Sequence, residues 1–200
     1  MQCAPVKQEN HDNHDGKKVW LTIEEINLLL SMADTTQKKI AFSLGAQSGL
    51  RIDEITSVTP RDVIETPVGP FVRVQHGKGD KYRETPITTD LKATCDAVAD
   101  IRPESDSEPF VQATNRTVRN WIYRAAAKCK DETNDHGWDN LSPHDLRRSW
   151  GTLLVNESDV ERGLIMDWGG WDNWETFRDE YLGVYSLQQQ KKQMEKVAWL

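Results

Sequence analysis

Apolar positions along the chain fall into short helical stripes, interrupted once by a pair of alternating segments. Thr22 followed three residues later by Glu25 has the form of a capping box. Ile23, Ile26, Leu29 and Leu30 then recur at helical spacing, so a first helix starts there. A second helix is expected from Thr35 to Ser48, stopped at Gly49, and a short third from Leu50 to Ser57. Phe71–His76 alternates like a strand, Gly77–Lys81 is a glycine-rich turn and Tyr82–Ile87 returns, which predicts a β-hairpin. Helices resume at Asp90–Ala99, and Thr114 or Thr117 opens another with Val118, Trp121, Ile122, Ala125 and Cys129 on one face. Ser142-Pro143 pairs an N-cap with proline at the first helical position, and Leu146, Trp150, Leu153 and Leu154 form the stripe behind it. Ser158 with Glu161 has the form of a second capping box, leading Val160, Leu164, Ile165 and Trp168. A last helix carries Val184, Leu187, Met194, Val197 and Trp199. The pattern predicts an α+β chain, mainly α-helical, with one small antiparallel sheet and no internal repeat.

Two hundred residues, 37% of them hydrophobic, suffice for one domain with its own core. Residues 1–18 are polar and are expected to form a disordered leader, in which His11 and His14 are solvated rather than metal ligands. The ordered domain is expected over 19–186. The helix over 187–200 has too few apolar positions for burial on its own domain, so it either docks on a neighbouring subunit or frays. No run approaches the ~18 apolar residues of a membrane span, and the leader lacks a signal peptide's apolar stretch. Cys3, Cys95 and Cys129 fall at unrelated spacings, suggesting neither a disulfide framework nor a zinc site. The expectation is a cytoplasmic protein without a membrane partner.

Thirty-two acidic against 25 basic residues give a net charge of -7, which argues against uniform attraction to phosphate. The charge is segregated, however. Val111–Lys130 holds five bases (Arg116, Arg119, Arg124, Lys128 and Lys130) and no acid, whereas Ile87–Phe110 holds six acids and two bases. A basic face on an acidic body is compatible with this distribution; a solvated outer helix face is the alternative.

Three segments carry candidate chemistry. Gly49-Leu50-Arg51-Ile52-Asp53-Glu54 puts an arginine at a helix start, where free N–H groups, the dipole and a guanidinium favour an anion. Arg51 could equally be a surface residue paired with Glu54. Lys78 sits at the hairpin tip between two glycines, without the spacing of a Walker loop. Pro143-His144-Asp145-Leu146-Arg147 places a proton carrier and a phosphate clamp three residues apart on one helix face.

Together and in order, these segments resemble the catalytic domain of the tyrosine recombinases, the phage integrase family that includes Cre and the Xer recombinases. Arg51 lies in the typical Gly-Leu-Arg-Ile-x-Glu segment, Lys78 matches the hairpin lysine, and His144 and Arg147 match His-x-x-Arg after a typical Leu-Ser-Pro. Gly170-Trp171 matches the Gly-His/Trp position, and Tyr181 falls where the nucleophile belongs. Trp171 to Tyr181 is ten residues, one more than the family's common spacing, so Tyr185 in Gly-Val-Tyr-Ser stands as the alternative nucleophile. The resemblance starts at about Trp20, and the expectation is a chain without the core-binding domain which that family carries ahead of its catalytic one.

The resemblance implies the fold of DNA breaking-rejoining enzymes, a double-stranded DNA substrate, a homotetramer on paired sites and no metal or cofactor. Tyr181 would attack a scissile phosphate, Arg51 and Arg147 would hold its oxygens, Lys78 would protonate the leaving 5′-oxygen, His144 would assist proton transfer and Trp171 would offer its indole N–H. Arg116, Arg119, Arg124 and Lys128 would contact the DNA backbone. Type IB topoisomerase-like activity, or a non-catalytic DNA-binding module derived from a recombinase, are the competing readings.

Overall fold

The computed structural model describes residues 5–11, 15–75, 82–102, 106–182, 190–191 and 194–197. The hairpin tip with Lys78, the alternative nucleophile Tyr185, His14 and most of the expected 187–200 helix lie outside the described residues. The chain begins with two antiparallel strands, β1 (Lys7–Asn10) and β2 (Lys17–Trp20), paired from Lys7↔Trp20 to Asn10↔Lys17. Lys7–Asn10 and Lys17 and Lys18, expected within a disordered leader over 1–18, are therefore strand. Gln8 accepts a bond from Asn140 at 2.9 Å, and the Val6 and Val19 amides donate to Asp135 at 2.6 Å and Asp145 at 3.0 Å, so distant residues supply the order.

Helices α1 (Ile23–Ser31), α2 (Thr36–Ser48) and the single turn α3 (Ile52–Ile55) follow. The capping box at Thr22 forms as expected: Glu25 accepts from the Thr22 amide at 2.7 Å. Helix α2 is buried nearly all round, through Ile40, Ala41, Phe42, Leu44 and Ala46, and is the axis of the main core. The sheet has three strands rather than two, because β3 (Val63–Thr66) adds to β4 (Gly69–Val74) and β5 (Arg83–Pro86) in the order β3-β4-β5. Helices α4 (Thr89–Ile101) and α5 (Asn115–Thr133) are capped by Thr88 and Thr114.

Helix α6 (Pro143–Glu157) starts at Ser142, as the Ser-Pro pair predicts. The expected Ser158–Glu161 box does not form. Ser158 turns back to donate to the Leu154 carbonyl at 2.5 Å and closes α6, while α7 (Arg162–Gly169) starts at Glu161 without a side-chain cap. A further helix, α8 (Trp174–Tyr181), carries the tyrosine and is capped by Asn173. Its Phe177 and Tyr181 join Ile165 in a second, smaller apolar cluster beside the main core. No helix among the described residues is long and apolar enough to cross a membrane.

The corner between α2 and α3 sets up the site. Gly49 ends α2 at φ 67°, a left-handed conformation that favours glycine. A Cβ there would lie 2.1 Å from the Trp150 ring. Gly49→Ala is expected to lower the unfolding free energy by about 2 kcal/mol or more, because left-handed strain and overpacking add. A chemical denaturation midpoint unchanged from wild type would contradict this.

Candidate active site

Arg51 is the N-cap of α3, and Glu54 reaches back to accept from its amide at 2.7 Å and its Nη1 at 2.9 Å. Arg51 is thus paired with Glu54, though not as a surface pair: Glu54 is buried and serves a second arginine. Arg83 of β5 donates from Nη1 and Nη2 to the two carboxylate oxygens at 2.8 and 2.7 Å. Burial alone would raise the Glu54 pKa, but the Arg83 and Arg51 partners outweigh it and hold it at about 2. Arg83 Nε also donates to the Trp168 carbonyl at 3.0 Å, and the left-handed Gly170 leaves room where a Cβ would meet Arg83 Cδ at 2.9 Å. One buried guanidinium thus joins the lysine hairpin's return strand, the Arg51 turn and the end of α7. Sequence reading missed Arg83, whose partner lies 29 residues away.

The start of α6 brings the second group of charges. Arg147 is buried at 1% exposure, with Nη1 donating to the Gly49 carbonyl at 2.5 Å and Nη2 to the Gly169 carbonyl. Its Cζ lies 4.3 Å from the Trp171 ring centre. Burial, then the like charge of Arg51, pull its pKa down to about 10, which leaves it protonated at neutral pH. Arg147 Nε and Trp171 Nε1 are both buried without a hydrogen-bond partner among the described residues. Such orphaned donors are rare in folded interiors and fit an incoming acceptor. Asp145, between His144 and Arg147, is also buried: it accepts from the Ser142 amide and hydroxyl at 2.8 and 2.6 Å, the Val19 amide and Arg148 Nη1. It fastens β2 to the helix start, a role its sequence position did not signal.

Tyr181 reaches this group from α8. Its ring centre lies 5.3 Å from that of His144, 4.9 Å from Trp171 and 5.9 Å from Arg147 Cζ. Trp171 stacks against Trp150 at 5.8 Å and tilts on Phe177 at 4.4 Å. His144, Arg147, Trp171 and Tyr181 are therefore brought together. Arg51 belongs to the same charge cluster through its coulombic effect on His144 and Arg147. Arg116, Arg119, Arg124 and Lys128 are not at this cluster; all four are exposed on α5. That helix nevertheless starts beside the Arg51 turn, where Thr56 Oγ1 donates to Asn115 Oδ1 at 2.8 Å.

His144 has an outer edge in solvent, yet its pKa is lowered from 6.5 to about 4, first by burial of the imidazole and then by Arg148, Arg147, Arg51 and His11. The ring is neutral near pH 7 and so able to accept a proton. The unfolded chain takes up a proton near pH 6.5 that the folded site refuses until about pH 4, so stability falls as pH drops through that window. His144→Gln is expected to lose less melting temperature than wild type between pH 7 and pH 5. Equal losses in the two proteins would contradict the depressed value.

The family model of the phage integrase family matches residues 19–186. A tyrosine recombinase of Thermosipho africanus is 26% identical over 147 residues, covering 69% of this chain and 48% of that protein. Tyrosine recombinase XerA of Pyrococcus horikoshii is 26% identical over 156 residues, covering 78% of this chain and 54% of the relative. The chain thus spans about half the length of the curated relatives it matches. Among solved structures, a XerA recombinase superposes with a TM-score of 0.67 at 20% identity, over 90% of this chain and 65% of the other. The Tn1549 transposon integrase in complex with circular intermediate DNA gives 0.66 at 18% identity, over 92% and 67%. Those structures share the fold, and the family match spans most of the chain: it belongs to the phage integrase family, the tyrosine recombinases.

Proposed function

We propose that this chain is the catalytic part of a site-specific DNA recombinase that cuts and rejoins double-stranded DNA through a covalent 3′-phosphotyrosine, with Tyr181 as nucleophile. The observation that carries the reading is the Tyr181 ring against His144, Arg147 and Trp171, in a cluster where two buried N–H donors have no partner among the described residues. Positive charge and orphaned donors beside a phenol suit a phosphodiester. The domain over 19–186 is proposed as the catalytic unit. Solved relatives such as XerH and the Tn1549 integrase are described as DNA complexes, which supports DNA as the partner.

In the first step the Tyr181 oxygen forms a bond to phosphorus while the bond from phosphorus to the 5′-oxygen breaks. The phenolic proton passes to neutral His144, and the Lys78 ammonium gives a proton to the leaving oxygen. Arg51 and Arg147 stabilise the charge of the pentacoordinate transition state, and Trp171 adds its indole N–H. The ester energy stays in the phosphotyrosine, so rejoining is the reverse step. Arg116, Arg119, Arg124 and Lys128 are proposed to hold the duplex backbone, and a homotetramer on paired sites is the proposed assembly.

The test uses a duplex selected from a random pool by binding to the protein and then nicked to trap the intermediate. Wild type should give a covalent band on a denaturing gel, with a free 5′-hydroxyl on the released strand. Tyr181→Phe should lose the band and Tyr185→Phe keep it. A band lost only with Tyr185→Phe would overturn the nucleophile assignment. Binding without any band would favour a non-catalytic module, and supercoil relaxation without exchange between two sites a topoisomerase.

A further inference from the structure

Helix α8 has eight residues, short enough that its place depends on what it packs against rather than on its own helical propensity. The last four carbonyls of a helix lack partners within it. In α8 each one has been given a donor. Leu182 N donates to the Arg178 carbonyl at 3.1 Å. Lys18 Nζ donates to Asp179 O at 3.3 Å, and Arg148 Nε to Glu180 O at 3.0 Å. The Tyr181 carbonyl accepts two bonds, from Trp20 Nε1 at 2.7 Å and Thr152 Oγ1 at 2.6 Å.

Four of these donors come from β2 and α6, and two of the four are cations, whose charge suits the negative end of a helix dipole. Lys18 and Trp20 are buried at 6% and 5% exposure. Strand β2 is itself fastened to α6: Val19 N donates to Asp145, and Leu21 N, just past the strand, donates to Ser149 Oγ at 2.8 Å. The helix that carries His144 and Arg147 is therefore tied, through one strand and two direct bonds, to the backbone of the tyrosine.

We propose that Trp20 and Thr152, supported by Lys18 and Arg148, are positioning residues that hold the Tyr181 backbone in register with the His144–Arg147 cluster of its own chain. The proposal rests on Tyr181 being the nucleophile. The ring's distance from His144 is then set by the carbonyl cradle behind it more than by the small apolar cluster of Ile165 and Phe177. Displacements of about 1 Å in a reacting group cost on the order of 100-fold in rate.

Thr152→Val removes one donor at nearly constant volume, Trp20→Phe removes the other, and Thr152→Ser restores a hydroxyl. Three readouts are taken on the full chain with the selected nicked duplex: duplex affinity, the first-order rate of covalent complex formation at saturation, and amide hydrogen exchange. The expected results are a loss of rate of about 10-fold in Thr152→Val and about 100-fold in the double variant. Affinity should stay within about 2-fold, Thr152→Ser should recover most of the rate, and amides of residues 174–182 should exchange faster while α2 stays protected. A double variant that reacts at the wild-type rate, or exchanges in α8 at the wild-type rate, overturns the proposal. So does loss of affinity in parallel with rate. If wild type forms no covalent complex, the phosphotyrosine reading fails by itself, and exchange in α8 still decides for or against the cradle.

Discussion

Arg83→Met should be among the most destabilising single changes in the described residues, costing about 3–5 kcal/mol of unfolding free energy. The substitution keeps much of the side chain's length and removes the charge that faces Glu54. It leaves a carboxylate at 2% exposure with only Arg51, itself partly exposed, as its remaining cation. A buried charge robbed of its partner costs far more than a surface pair is worth. Three tethers fail together, because β5, the Arg51 turn and the Trp168 carbonyl all meet at this guanidinium. Acid dependence provides an independent check. The Glu54 pKa is held at about 2 against an ordinary value of 4.5, so the pair stabilises the fold above pH 4.5 and its contribution fades as pH falls toward 2. Glu54→Gln should flatten that part of the stability profile. Denaturant titrations of both variants at pH 7 and pH 3.5 read the two effects. An Arg83→Met cost below about 1 kcal/mol at pH 7 would contradict the account.

Arg147→Lys should reduce covalent complex formation by about 100- to 1,000-fold while duplex affinity changes little. Two of this guanidinium's N–H groups are spent on the Gly49 and Gly169 carbonyls, which lock its plane beside Trp171. The Nε hydrogen and the other N–H groups are left for a phosphate. A lysine has one nitrogen to divide between two carbonyls on opposite elements and a substrate oxygen, so charge is kept and the fork is lost. Single-turnover trapping on the nicked duplex measures the loss. A reduction smaller than 10-fold would show that positive charge alone suffices at this position.

Much of the candidate site was legible because the motifs that carry the family resemblance are local. Arg51 beside a left-handed glycine and His144 three residues before Arg147 are patterns within single turns, and helix α6 starts where Ser142-Pro143 said it would. Less was legible where the partner is remote. The strands β1 and β2 lie in a polar stretch that reads as unstructured, and they are ordered by Asp135, Asn140 and Asp145, more than 120 residues downstream. Arg83 and Asp145 look like ordinary surface charges until the fold buries them. Ser158 shows the opposite failure: its hydroxyl donates to the Leu154 carbonyl and accepts from the Val160 amide at 3.3 Å rather than from Glu161, so a motif legible in the sequence does not close. The tyrosine's own helix was missed for a related reason. Its apolar stripe of Trp174, Phe177 and Tyr181 spans only two turns, and the donors that close its end come from β2 and α6.

The most direct test of the account is to find which atom carries the DNA. The trapped complex would be digested with nuclease and trypsin and the remaining nucleotide located by tandem mass spectrometry. Cleavage after Arg178 and Lys191 leaves one peptide holding both Tyr181 and Tyr185, so fragments broken between Leu182 and Gly183 decide between them. The account predicts the nucleotide mass on the fragment that ends at Leu182, in wild type and in Tyr185→Phe alike. The mass on the Gly183 side would contradict it, and would mean that the phenol packed against His144 and Arg147 is a structural residue.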